Sequence, residues 1–238
     1  MSLKSWLYDG IFIRHYNIST NIFFYKYLFL QISFSTNIFF YKYLFLQISF
    51  STNIFRINYI TILKASLVKL KQGNGLETDV KIGPLINKAA VEKVQQHVDD
   101  ALAKGGKLLC GGRINPELGG NFYEATILAN MQDTMIASCE ETFGPIIAIF
   151  GFDSEDEVIQ RANNTKYGLA SYFFSNDINQ IRRVRNALAY GMVGINTGSI
   201  SNEKAPFGGI KESGLGREGS DDGIYEFLEA KYSLQVFG

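Results

Sequence analysis

From residue 61 onward the sequence predicts an α/β fold built on a parallel sheet, and three observations carry that expectation. Short apolar, β-branched and aromatic runs alternate with segments whose apolar residues recur every three to four positions. The helical segments from Ser154 on open at Ser or Asp, residues whose side chains accept from the unpaired amides of a first turn. Glycines then stop the helices where the periodicity ends.

Taken in order, Val91, Val94, Val98, Ala101 and Leu102 share one helical face, with Glu92, Gln95, Gln96, Asp99 and Asp100 opposite. Gly105-Gly106 ends that helix, and Lys107–Cys110 follows as a short strand closed by Gly111-Gly112. Ser154 with Glu157 three residues later is a capping box, opening a helix through Val158, Ile159 and Ala162. Leu169–Phe174 reads as a buried strand. Asp177 caps a helix carrying Ile178, Ile181, Val184 and Leu188; Gly191 ends it, and Met192–Asn196 is the next strand. A strand–helix–strand order of this kind closes a parallel sheet through right-handed crossovers.

The 238 residues hold one or two domains. Lys plus Arg and Asp plus Glu number 23 each, so no net field favours nucleic acid or an anionic membrane. Cys110 and Cys139 fit neither a disulfide framework nor a zinc spacing, which points to a reducing intracellular compartment. His15 and His97 cannot assemble a metal site by themselves. His97 falls on the polar side of its helix pattern and is expected on the solvated surface.

The first 60 residues are of another kind. Ser19 to Phe34 reads STNIFFYKYLFLQISF, Ser35 to Phe50 repeats it letter for letter, and a third copy fails after Phe55. Perfect identity marks a young duplication, because the surface positions of a structural repeat drift. Residues 1–60 therefore read as a low-complexity leader that is non-native or disordered, followed by a globular region over 61–238. Two other readings stand beside that one. As a membrane anchor, the segment suffers from Lys26, Gln31, Ser33, Ser35, Thr36, Asn37 and Lys42, which interrupt every window of the ~20 residues a spanning helix needs. It could also be a genuine fold element. As a mitochondrial targeting peptide it is a poor match, since Arg14 is its one arginine before Arg56.

Gly214-Leu-Gly216-Arg-Glu-Gly219 spells the G-x-G-x-x-G of a dinucleotide loop. That fingerprint needs a preceding strand and an acid about 20 residues on, and it has neither here, so we reject it. A glycine-rich loop against a substrate channel, with Arg217 paired to a carboxylate, fits better. Glu140 and Glu141 beside Cys139 would repel a thiolate, the wrong direction for a nucleophile. Cys110 has no base in its local sequence. Both cysteines read as small buried hydrophobes. Glu141 and Phe143, in a turn closed by Gly144-Pro145, could accept ribose hydroxyls and pack on a nicotinamide; equally, they could be a surface acid over a core ring.

Gly73-Asn-Gly75, Gly83-Pro-Leu-Ile86, Glu140-Glu-Thr-Phe-Gly-Pro145, Ile195-Asn-Thr-Gly198 and the run from Ala205 to Gly219 occur in that order. Over about residues 67–238 they resemble the aldehyde dehydrogenase superfamily. Ile195–Ser201 and Phe227–Tyr232 carry a finer likeness to its succinate-semialdehyde branch, which serves 4-aminobutyrate degradation. The resemblance implies a truncated catalytic domain with a C-terminal oligomerisation strand over Leu228–Leu234. It implies that Glu141 holds the nicotinamide ribose, that Phe143 lies beside the nicotinamide, and that Phe207 lines the substrate channel. It further implies that Ser201 bonds a distal carboxylate and that Arg217 and Glu229 stabilise a homo-oligomer. The implied cofactor is NAD or NADP, the substrate a small aldehyde, and the compartment mitochondrial or cytoplasmic.

In that family the nucleophilic Cys, the general-base Glu, the oxyanion Asn and the dinucleotide domain map upstream of the matched region. No catalytic residue carries over, and the chain is expected to be inactive alone. A non-catalytic dimerisation fragment is the alternative.

Overall fold

The computed structural model describes residues 23–26, 45–50, 60–61, 63–198 and 200–238. Its centre is a seven-stranded sheet, in which β7 (Ile146–Gly151) shows how the rest is organised. Ile146, Ala148 and Phe150 of β7 enter one core cluster, and Ile147 and Ile149 enter another. Both faces are therefore covered, so the strand reads as one unbroken apolar run.

Helix α1 (Lys88–Ala103) covers the first face with Val91, Val94, Val98 and Ala101, against Leu128 of β6 (Thr126–Met131). It starts three residues before its apolar stripe because the Asn87 side chain accepts from the Ala90 amide. On the other face Leu63 and Leu67 pack on Ile127, Ile147 and Ile149. A third cluster joins Val158 and Ala162 of α3 (Glu155–Asn163) with Val184 of α4 (Ile178–Ala187) and Phe173 of β9 (Ala170–Phe174). Each buried Val, Leu or Ile contributes roughly 1.5–3 kcal/mol, so these clusters hold the fold.

The sheet is mixed, where the sequence predicts a parallel one. Strands β9 and β10 (Met192–Ile195) run parallel, as do β6 and β7, in each case with a helix in the connection. However, β5 (Lys107–Cys110) pairs antiparallel with β6. The reason lies in the connection. Residues 111–125 hold no helix and fold back through the Asn115 amide to the Phe122 carbonyl and the Glu124 amide to the Arg113 carbonyl. A connection of that kind makes a hairpin, not a crossover.

The remaining two strands come from the front of the chain. β1 (Phe23–Lys26) and β2 (Phe45–Phe50) lie between β9 and β7. β1 is antiparallel to both of its neighbours, and β2 is parallel to β7 with Phe45 opposite Ile146. The rest of the leader expected over 1–60, up to residue 59, lies outside the described residues. Two small sheets complete the fold, β3 (Lys71–Gln72) with β4 (Val80–Ile82), and β8 (Tyr167–Gly168) with β11 (Ile210–Lys211). The strand expected over Leu228–Leu234 is not formed. After a 3-10 turn at Gly223–Phe227 the chain continues without regular structure to Gly238. A strand needs a partner edge, and no described strand pairs with this segment.

Candidate functional site

The turn at 140–145 leads from the short helix α2 (Ile136–Cys139) into the start of β7. Backbone bonds close it, from the Gly144 amide to the Thr142 carbonyl and from the Ile146 amide to the Gly144 carbonyl, both 2.8 Å. Gly144 is required by space: a Cβ there would lie 2.5 Å from Val94 Cγ2 on α1. Thr142 is buried, while its neighbours turn outward, with Glu141 half-buried and Phe143 48% exposed. Burial pushes the Glu141 carboxyl up from its ordinary value, and the Lys93 ammonium acts in the opposite direction. A carboxylate short of solvent, beside an exposed ring, can accept hydroxyl donors while the ring offers a flat apolar face.

The segment after β10 begins at Asn196, a non-glycine residue at φ 55. Its side chain takes the Ser175 amide and donates to the Ser175 carbonyl, each at 2.9 Å, which ties the end of β10 to the end of β9. Ile200 then packs back along Gly194 in mid-strand, so the exposed Ser201 begins a return toward the start of β10. The return is complete at Gly208, whose carbonyl oxygen would collide with a Cβ on Gly191. Half-buried Phe207 exchanges two backbone bonds with Glu218, at 2.8 and 2.7 Å.

Both candidate groups thus reach the same end of the sheet without touching. Glu141 and Phe143 stand before β7, Phe207 beside the starts of β9 and β10. Three strand spacings separate β9 from β7, about 14 Å.

The glycine-rich loop is structural. A Cβ on Gly208 would meet the Gly216 carbonyl, and one on Gly216 would meet the Glu226 carboxylate. The expectation that no strand precedes the loop is corrected by the two-residue β11, while among the described residues a 3-10 turn at Gly223–Phe227, and no α-helix, follows it. Arg217 corrects one expectation. Its guanidinium donates to the Gly209 and Gly216 carbonyls at 2.8 and 2.7 Å, and it is its backbone amide that meets a carboxylate, Glu226, at 2.9 Å. Glu229 lies exposed in the terminal segment.

Both cysteine sulfurs bond to backbone carbonyls, and that of Cys139 also to a hydroxyl. Burial pushes the Cys110 thiol upward, away from thiolate. Cys139 is exposed, not buried, because it ends a four-residue helix; its sulfur meets the Ser138 hydroxyl and the Asp133 carbonyl, neither of them a base. Among the described residues no cluster could hold a metal ion, and no helix is long and apolar enough to cross a membrane.

His97 is the largest departure. It is 1% exposed, and its Nδ1 lies 2.6 Å from Thr142 Oγ1. The signal was available, for His97 stands three residues after Val94 and four before Ala101, within the buried stripe. Burial lowers its affinity for a proton, Lys93 adds to that, and Glu140 and Asp100 oppose it.

Comparison with known proteins identifies the family. Residues 55–233 match the aldehyde dehydrogenase family. The chain is 56% identical over 170 residues to a glutarate-semialdehyde dehydrogenase of Pseudomonas putida, covering 71% of this chain and 35% of that protein. It is 54% identical over 170 residues to the NADP(+) succinate-semialdehyde dehydrogenase of Escherichia coli, again covering 71% and 35%. The crystal structure of succinate-semialdehyde dehydrogenase from Burkholderia pseudomallei superposes with a TM-score of 0.71 at 51% identity, over 74% of this chain and 36% of that one. The chain thus spans about a third of the length of the relatives it matches. On the extent of that match, this chain belongs to the aldehyde dehydrogenase family.

Proposed function

We propose that this chain carries the nicotinamide-facing turn and the substrate-facing loop of an NAD(P)-dependent semialdehyde dehydrogenase. Succinic semialdehyde, oxidised to succinate, is the first-choice substrate, with the compartment mitochondrial or cytoplasmic. One observation supports the reading most: the half-buried Glu141 carboxyl and the exposed Phe143 ring flank a buried, anchored Thr142. These residues fit one end of a nicotinamide dinucleotide. Glu141 would accept ribose hydroxyls and Phe143 would offer the nicotinamide a flat face. When bound, that group accepts hydride. Ser201 would donate its hydroxyl to the distal carboxylate of the aldehyde, and Phe207 would exclude water beside it.

In this reading neither Cys110 nor Cys139 forms a thioester, and the chain alone has no turnover. Amide shifts on adding NADP and succinate test the assignment. The expected shifts fall at Glu141–Phe143 for the nucleotide and at Ser201–Phe207 for succinate, and Ser201→Ala reduces the second set. Shifts confined to other segments would contradict it.

A second reading, a non-catalytic dimerisation module, is favoured by the terminal segment. Tyr232, Leu234 and Val236 alternate as on one face of a strand, and all are strongly exposed, Tyr232 at 85%. Such a segment calls for a sheet edge on another subunit, with Arg217 and Glu229 at the same interface. Sedimentation tests this: the chain should associate with itself, and deletion of residues 226–238 should leave a monomer.

A further inference from the structure

We propose that His97 is the positioning residue of the turn at 140–145, holding Glu141 and Phe143 at the angle from which they meet a nicotinamide ribonucleoside. The proposal rests on the cofactor reading of those two residues and adds to it the group that aims them. His97 and Thr142 lie 45 residues apart in sequence and are both buried, and their 2.6 Å bond joins a 16-residue helix to a turn. Backbone bonds hold the two ends of the turn, the Glu140 amide to the Ile136 carbonyl before it and the Gly144 and Ile146 amides to the Thr142 and Gly144 carbonyls after it. Between those ends the His97–Thr142 side-chain bond sets where the flanking side chains leave the chain.

The second ring nitrogen gives the direction of that bond. His97 Nε2 is buried without a hydrogen-bond partner and lies 3.8 Å from Glu140 Oε2, an ion-pair distance beyond hydrogen-bond reach. A bare lone pair at Nε2 would face the carboxylate and be repelled, so Nε2 carries the proton in the neutral ring. Nδ1 then accepts, and the Thr142 hydroxyl donates. The charged groups around the ring are Lys93 and Asp100 from α1 and Glu140 from the turn.

The test uses the whole purified chain labelled with 15N. The ring spectrum of His97, told apart from that of His15 by its loss in His97→Asn, is expected to show the neutral Nε2–H form at pH 7. Thr142→Val should speed amide exchange over 140–144 by about tenfold or more while amides of β6 and β7 keep their protection. Thr142→Ser, which keeps the hydroxyl, should restore the slow exchange. A charged ring at pH 7, unchanged exchange in Thr142→Val, or failure of Thr142→Ser to restore protection would each overturn the proposal. The ring spectrum needs no variant, so a poorly folding Thr142→Val does not remove the test. Added NADP separates the two ideas. Shifts at Glu141–Phe143 that disappear in Thr142→Val and return in Thr142→Ser support positioning. If NADP shifts no turn amide while ring and exchange behave as stated, the cofactor reading fails and takes this function with it, leaving only a structural bond.

Discussion

The front and the rear of this chain meet in one sheet, and they reach it by different routes. β1 and β2 come from a unit repeated letter for letter, yet the two copies contribute different parts of it. Phe23–Lys26 is the fifth to eighth residue of the first copy, and Phe45–Phe50 the eleventh to sixteenth of the second. The rear strands come from sequence without a repeat, and their unlike side chains interlock in three clusters. The difference teaches where register comes from. Two identical copies offer the same pairing surface twice, whereas a packed set of unlike side chains accepts one alignment.

The comparison breaks most sharply if the front is removed. β7 has both faces buried and pairs on both edges, and β9 likewise pairs on both edges. Deleting residues 1–55 opens one edge of each. The expected result is loss of cooperative urea unfolding and association through the open edges, seen by size-exclusion chromatography. A soluble monomer with an unchanged transition would show that the rear folds without the front. Next in size is the rear core. Ile147→Ala removes a fully buried side chain from beside Ile127 and Leu63, and about 2–5 kcal/mol of unfolding free energy should be lost.

A smaller effect follows pH. The folded His97 ring holds its proton less well than the ordinary value of 6.5. The unfolded chain therefore binds more protons as pH falls below about 6.5, so stability is full above that point and declines below it. His97→Asn should flatten this part of the profile in urea unfolding. Glu155 acts lower on the scale: its hydrogen bond to Arg183 depresses its carboxyl below the ordinary 4.5, so its contribution is lost as pH falls from there. Smallest of all, Ser201→Ala at an exposed loop position should move unfolding by less than about 0.5 kcal/mol. A larger loss would mean that Ser201 is part of the packing and not a free binding group.

The elements that a sequence specifies locally were legible. Ser154 accepts from the Glu157 amide and Asp177 from the Asn179 and Gln180 amides, as their spelling requires. The capping box closes one residue early, with the Glu157 carboxylate taking the Asp153 amide. The strands expected over 169–174 and 192–196 form as Ala170–Phe174 and Met192–Ile195. Pairing was less legible. β7 is a continuous apolar run without a period, so it carries no phase, and the antiparallel placement of β5 follows from a connection whose path only the folded chain shows. At the site, Glu141 and Phe143 could be picked from residue type and family likeness. His97 was misplaced because its polarity outweighed its spacing, although Thr142, far away in sequence, gives that polarity a partner inside the core.

The central claim is that these residues aim a cofactor and a substrate but supply no sulfur nucleophile. The direct measurement incubates the purified chain with succinic semialdehyde and NADP, follows absorbance of the reduced nicotinamide, and weighs the protein by mass spectrometry. No absorbance change and no added mass are expected. An acyl adduct on Cys110 or Cys139, with turnover abolished by Cys139→Ser or Cys110→Ser, would contradict it.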